Sequence, residues 1–182
     1  MTAPKKKPTR KPTPATAKKP KNSRAKGKKY ERLVAKHLGD WWGEPFRSTP
    51  GSGALHWEAD NRVAGDIVPP VDSTFPFTVE CKNREGWYFD ALINETGEVA
   101  DWWTQSVNDA RRVDRIPLLV FTRNFAPNYA MLEWDLFEAL GLNAGPYLHT
   151  RLQTEIGPFD VGICPLTALM AVTQEEIIEK CK

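Results

Sequence analysis

Residues 77–83, "FTVECKN", begin like a buried strand and then place a carboxylate and an ammonium two positions apart. Side chains alternate along a strand, so Glu80 and Lys82 share one face, roughly 6–7 Å apart, while Cys81 faces the other way. Phe77, Thr78 and Val79 suit a pleated surface. Alone, such a pair reads as a solvated edge with an ion pair worth at most about 1 kcal/mol. The residues before it change that reading.

Residues 47–65, "RSTPGSGALHWEADNRVAG", are rich in Gly, Ser and Pro and read as a loop. "DIV" (66–68) then reads as a strand, and "PPVDSTFP" interrupts the pattern before "FTVECK" resumes it. An antiparallel hairpin with its turn centred on Ser73 sets Asp66 directly opposite Glu80. Two facing carboxylates repel each other. A hard divalent cation resolves the conflict, because Mg²⁺ takes one or two carboxylates together with waters and phosphate oxygens. Lys82 then stands where it can hold or deprotonate an attacking water.

The flanking segments supply the helices and the rest of the sheet. Tyr30, Leu33, Val34, His37, Leu38 and Trp41 fall at helical spacing, with Glu31 beside the stripe. "VADWWTQSVNDARRVDRI" reads as a second amphipathic helix with Val99, Trp102, Trp103, Ser106, Ala110 and Val113 inward. Its acids come first and its arginines last, as the helix dipole favours. Gln105 borders that inner face, either reaching the carboxylate end of the sheet or remaining a solvated amide. "PLLVFTRN" (117–124) is a continuous apolar run suited to a strand covered on both faces. Beyond it, "YAMLEW" reads as a strand, "DLFEALG" as a short helix and "PYLHTRLQ" as extended. "TQEEIIEKCK" carries a capping box, Thr173 with Glu176, that predicts a C-terminal helix. The fold class is α/β: a mixed central sheet flanked by helices.

In chain order, "KGKKYERL" (26–33), "RSTPGSG" (47–53) and "VECK" (79–82) resemble the archaeal-type Holliday junction resolvases of the PD-(D/E)xK nuclease superfamily, which includes viral relatives. The resemblance spans roughly residues 26–123 and implies a restriction-endonuclease-like core. It implies catalytic roles for Glu31, Asp66, Glu80 and Lys82. Asp66, Glu80, the Cys81 backbone carbonyl and Glu31 are the implied ligands of Mg²⁺, for which Mn²⁺ can substitute. Arg32, Arg47 and Ser48 or Ser52 are the implied phosphate or DNA contacts; Lys26, Lys28 and Lys29 are expected to join them, and Gln105 is the accessory group offered by the second helix. Glycine stands before Asp66 where the superfamily motif has proline. The insertion "ALHWEADNRVA" (54–64) is longer than the family pattern, and residues 124–182 extend beyond the recognised core.

Charge is distributed unevenly. The 182 residues carry a net +2, yet residues 1–29 hold twelve Lys/Arg and no Asp/Glu, leaving 13 basic against 23 acidic side chains in the remainder. The proline-rich basic segment, residues 1–25, reads as a disordered tail that grips polyanions by counterion release, or else as a solubility or localisation segment. Residues 26–182 read as one nuclease domain. No run is apolar enough to span a membrane or to serve as a signal peptide, so the chain is expected in the cytoplasm, that of a host if it is viral. Cys81, Cys164 and Cys181, widely spaced and odd in number, argue against a disulfide framework; with His37, His56 and His149 scattered, a structural zinc site is not expected.

The implied activity is metal-dependent cutting of branched DNA, a four-way junction being nicked symmetrically by a homodimer, with no small-molecule substrate. Two alternatives stay open at this level: another PD-(D/E)xK nuclease with restriction-like, nicking or end-trimming activity, and a non-catalytic nucleic-acid-binding protein.

Overall fold

The first helix, α1 (Ser23–Trp42), begins three residues before the expected boundary at 26 and runs through a stretch free of proline. Tyr30, Val34, Leu38 and Trp42 form its buried i+4 ridge, with Glu31 and Ala35 alongside. The buried stripe is thus rotated from the expected one: Leu33 is 45% exposed, and Glu31 lies inside the stripe. In this computed structural model the described residues are 23–49, 64–85, 87–89, 92 and 97–182. The basic tail to residue 22, Ser52, His56 and nearly all of the 54–64 insertion lie outside them.

Where a plain loop was expected, Arg47–Ser48 (β1) pairs antiparallel with Ile67–Val68 (β2), Arg47 against Val68 and Ser48 against Ile67. The expected hairpin between the strand at 66–68 and the one at 77–82 does not form. β2 ends at Pro69 and Pro70, which offer no N–H to a ladder, and its pairing belongs to β1. The ladder of β3 (Phe77–Asn83) is instead parallel to β4 (Ile116–Thr122), with Glu80 against Leu119 and Lys82 against Phe121. The crossover between them is α2 (Val99–Arg111), whose buried residues are Val99, Trp102, Trp103, Ser106, Val107 and Ala110.

β5 (Tyr129–Glu133), α3 (Trp134–Ala139), a 3₁₀ turn (Leu142–Ala144), β6 (Leu148–Thr154), β7 (Gly157–Pro165), α4 (Leu166–Leu169) and α5 (Gln174–Lys180) complete the chain. The order β3-β4-β5-β7-β6 makes a mixed five-stranded sheet flanked by helices, in agreement with the expected fold class. The sequence reading omitted β7, the antiparallel partner of both β5 and β6. The C-terminal helix carries its capping box in full, each of Thr173 and Glu176 accepting from the other's backbone N–H.

Alternation divides the core in two. Phe77, Val79, Cys81, Leu118 and Val120 face α1 and the C-terminal helices. Leu119, Phe121, Met131, Val161 and Ile163 face α2. Leu118 to Phe121 are each fully buried, as expected for a strand covered on both faces. No helix among the described residues is long and apolar enough to cross a membrane.

Where α3 lies on β7, the Phe137 ring occupies the space that a side chain at Gly162 would need: a Cβ there would stand 2.3 Å from Phe137 Cγ. Gly162→Ala should therefore destabilise the fold by about 1–3 kcal/mol through overpacking. Urea denaturation measures this, and an unchanged midpoint would contradict the packing described.

Candidate active site

The free edge of β3 positions the site. Asp66 docks there through two hydrogen bonds: its N–H donates to the Val79 carbonyl at 2.8 Å, and its Oδ2 accepts from the Cys81 N–H at 2.9 Å. Gly65 permits this approach. Its φ is +73°, and a Cβ would lie 2.5 Å from the Val79 carbonyl oxygen. Proline, confined to φ near −65°, cannot occupy such a position, which explains the departure at this residue. Thr49 closes the other side, its N–H donating to the Asp66 carbonyl and its hydroxyl to that of Gly65, both at 2.9 Å.

Glu80 and Lys82 share the sheet face of their partners Leu119 and Phe121, the side covered by α2. Lys82 Nζ stands 2.6 Å from Glu80 Oε1 and donates to Gln105 Oε1 at 2.8 Å. Gln105 therefore reaches the carboxylate end of the sheet. One turn further along α2, half-buried Asp109 pairs with Arg112 at 3.1 Å and acts on Glu80 as a like charge. Sequence reading missed Asp109; the signal was its i+4 spacing from Gln105 on the helix stripe.

Glu31 approaches from the opposite face. It is 8% exposed, and its Oε2 lies 2.7 Å from Lys28 Nζ, which also donates to the Thr49 carbonyl. Lys28, expected at the DNA, is thus turned inward against a buried acid at i+3. Lys26 pairs with Glu85 at 2.7 Å. Arg32, Lys29 and Arg47 are exposed, and Ser48 is half-buried.

Burial governs the electrostatics. Removal from water raises the Glu80 carboxyl to about 8, with Asp66 pushing the same way and Lys82 opposing. Burial likewise raises Asp66 to about 6; the Cys81 N–H lowers it, Glu31 raises it, and Lys82 and Lys28 lower it. Asp66 is thus coupled to an acid on each face of the sheet. The Cys81 thiol is pushed well up by burial and by Asp66, Glu80 and Glu31, so it behaves as a small buried hydrophobe rather than a nucleophile.

Among the described residues no three His, Cys, Asp or Glu side chains converge as a ready metal cluster. The donors that do belong together are hard oxygens, Asp66 and Glu80. That set fits a Mg²⁺-type ion, which takes one or two carboxylates and fills its remaining positions from water and phosphate. In an extended strand a residue's N–H and C=O point to one side, so the Cys81 carbonyl faces the Asp66 edge as well.

The family model "Phage putative PDDEXK endonuclease" matches residues 22–179. The chain belongs to this family. No match was found among curated proteins or among solved structures. In this PDDEXK endonuclease chain the match runs far past residue 123, so the C-terminal strands and helices belong to the family pattern as well.

Raised carboxyl pKa values set the sign of a pH effect in metal-free protein. The folded state holds protons that the unfolded state releases, from about 4.5 to about 8 for Glu80 and from 3.8 to about 6 for Asp66. Stability should then be fully present below these windows and be lost as pH rises through them. Denaturation in EDTA should give a higher midpoint at pH 5 than at pH 8.5, with Glu80→Gln flattening the slope; a midpoint that rises with pH would contradict the described burial.

Proposed function

We propose that this endonuclease cuts phosphodiesters in branched DNA with the help of a divalent cation, Mg²⁺ or Mn²⁺, resolving four-way junctions by paired nicks. The observation that carries the reading is Asp66 docked on the β3 edge beside the Glu80–Lys82 pair. The likeness of "KGKKYERL", "RSTPGSG" and "VECK" to the junction resolvases supports the choice of substrate.

Asp66, Glu80 and the Cys81 carbonyl would hold the cation, with Glu31 directly or through water. When bound, it supplies positive charge at the scissile phosphate and polarises the attacking water. The chain's own groups do the rest. Lys82, held between Glu80 and Gln105, presents N–H donors that orient the nucleophile. Lys28 steadies Glu31 and, through the Thr49 carbonyl, the segment that clamps Asp66. Exposed Arg47 and Arg32 offer planar forks for phosphate oxygens, a geometry lysine lacks. Lys29, Ser48, Ser52 and the basic tail extend the grip along the backbone, where contacts position DNA without reading sequence.

A four-way junction has two scissile strands related by near two-fold symmetry, so a C2 homodimer with one site per subunit matches it. Asp66→Asn and Glu80→Gln should each reduce cutting by at least about a hundredfold, in line with loss of charge stabilisation at a reacting centre, while leaving junction binding in place. Labelled four-way junction, linear duplex and single strand, each with Mg²⁺, Mn²⁺ or EDTA, provide the measurement. Equal cutting of linear duplex would replace junction resolution with a restriction-like or end-trimming activity. No metal-dependent product from any DNA would leave only a binding protein.

A further inference from the structure

Phe125 is fully exposed, at 109% relative accessibility, and its φ is +61°, a backbone conformation that bulky residues rarely adopt. The turn that carries it is tied down on every side. Thr122 Oγ1 shares its proton among the carbonyls of Arg123, Ala126 and Pro127 at 3.2, 3.2 and 2.9 Å. Ala126 N–H donates to the Arg123 carbonyl, and Asn124 N–H to Glu85 Oε1 at 3.0 Å. Arg123 donates to the Trp87 carbonyl and lays its guanidinium over the rings of Trp87 and Tyr88, 5.4 and 4.8 Å from their centres. Tyr88 is itself 54% exposed. A loop braced in this way holds an apolar ring in water.

Its position ties it to the site. Lys82 pairs with Phe121, and Phe125 follows four residues later, at most about 14 Å further along the chain. Lys26 and Arg123 lie about Glu85 at the same end of the sheet, where the Arg84 backbone also bonds the Thr122 carbonyl, and Glu85 bonds both Lys26 and the Asn124 N–H. Aromatic faces among cations are the chemistry that receives a nucleobase: the ring stacks while the cations neutralise phosphate. A base still paired in duplex keeps its faces covered by its neighbours; one released at a branch point exposes them.

We infer that Phe125, with Tyr88 and Arg123, is a stacking platform for an unpaired nucleobase next to the scissile phosphate. The inference rests on the nuclease reading above and adds to it a feature by which the site tells branched DNA from continuous duplex. A second copy of this chain is the competing occupant of the same patch.

The test uses the full chain in EDTA and DNA carrying 2-aminopurine, either unpaired at the branch point or placed within continuous duplex. Binding should quench the unpaired probe. Phe125→Ala and Phe125→Asn should abolish the quench and weaken branched-DNA binding roughly 5- to 150-fold, the range for loss of one base stack. Continuous duplex should change less than about twofold, and Phe125→Trp should restore both signals. Equal losses on both DNAs, or no loss on either, would overturn the proposal. So would a fall in oligomeric mass by sedimentation with DNA binding unchanged. Thermal melts verify that both variants fold, as replacement of a fully exposed ring allows. Mg²⁺-dependent cutting of the same DNA is scored separately: its absence refutes the nuclease reading, whereas intact cutting without a Phe125 effect refutes the platform alone.

Discussion

Everything at the site depends on one carboxylate lodged against the open edge of a β-strand. Asp66 satisfies the Val79 carbonyl and the Cys81 N–H that β3 would otherwise leave unpaired, and an unpaired strand edge is a liability in any soluble fold. The same contact serves both architecture and chemistry. It closes the sheet on the β3 side and sets an acid between the two faces. α1 delivers Glu31 from one side, and alternation along β3 delivers Glu80 on the other. Asp66 is the group on which both Glu31 and Glu80 bear electrostatically.

Two lysines make the burial tolerable. Glu31 is matched by Lys28 and Glu80 by Lys82, at 2.7 and 2.6 Å, leaving Asp66 with a backbone donor and more distant cations. The pairs are not equivalent. Lys28 also binds a loop carbonyl, whereas Lys82 is shared with a helix amide, Gln105. A lysine held between an acid and a neutral amide ties β3 to α2. A lysine bound to both an acid and a carbonyl braces the loop instead. One residue type thus makes two different connections, set by the second hydrogen-bond partner.

Much of this was legible in the chain because it follows from short-range rules. Period-2 alternation put Glu80 and Lys82 on one face, the 117–124 run announced a central strand, and Thr173 with Glu176 announced a capped helix. What failed was long-range. The hairpin register came from symmetry about Ser73, and no local rule shows that β4, more than thirty residues on, takes the other edge of β3 in parallel. The proximity of Asp66 and Glu80 was anticipated on a register that does not exist. Their coupling arises across the strand edge, by way of Gly65, whose positive φ the sequence does not display. β7 escaped because "GPFDVGICP" is bounded by Gly and Pro, has one acid, Asp160, and carries a glycine where Phe137 packs, which blurs the alternation. Asp109 escaped because a single acid on a helix stripe reads as solvated until the strand beneath it is known.

Stability alone does not account for this cluster. Glu31, Asp66 and Glu80 are each less than a tenth exposed, and burial is the largest cause of the raised carboxyl pKa at both Asp66 and Glu80. Well-packed apolar residues of similar volume are often as stable as buried ion pairs, or more so. A domain that holds three acids in one small region therefore carries a destabilising arrangement at neutral pH that folding does not require. Such local conflicts with the rules of a stable core are expected where chemistry occurs. Here the conflict is confined to the β3 edge: the surrounding strands are packed with apolar side chains on both faces, and α1 and α2 bury theirs against them. The apolar frame supplies the stability, and the β3 edge is where part of it is given up to bury carboxyl groups.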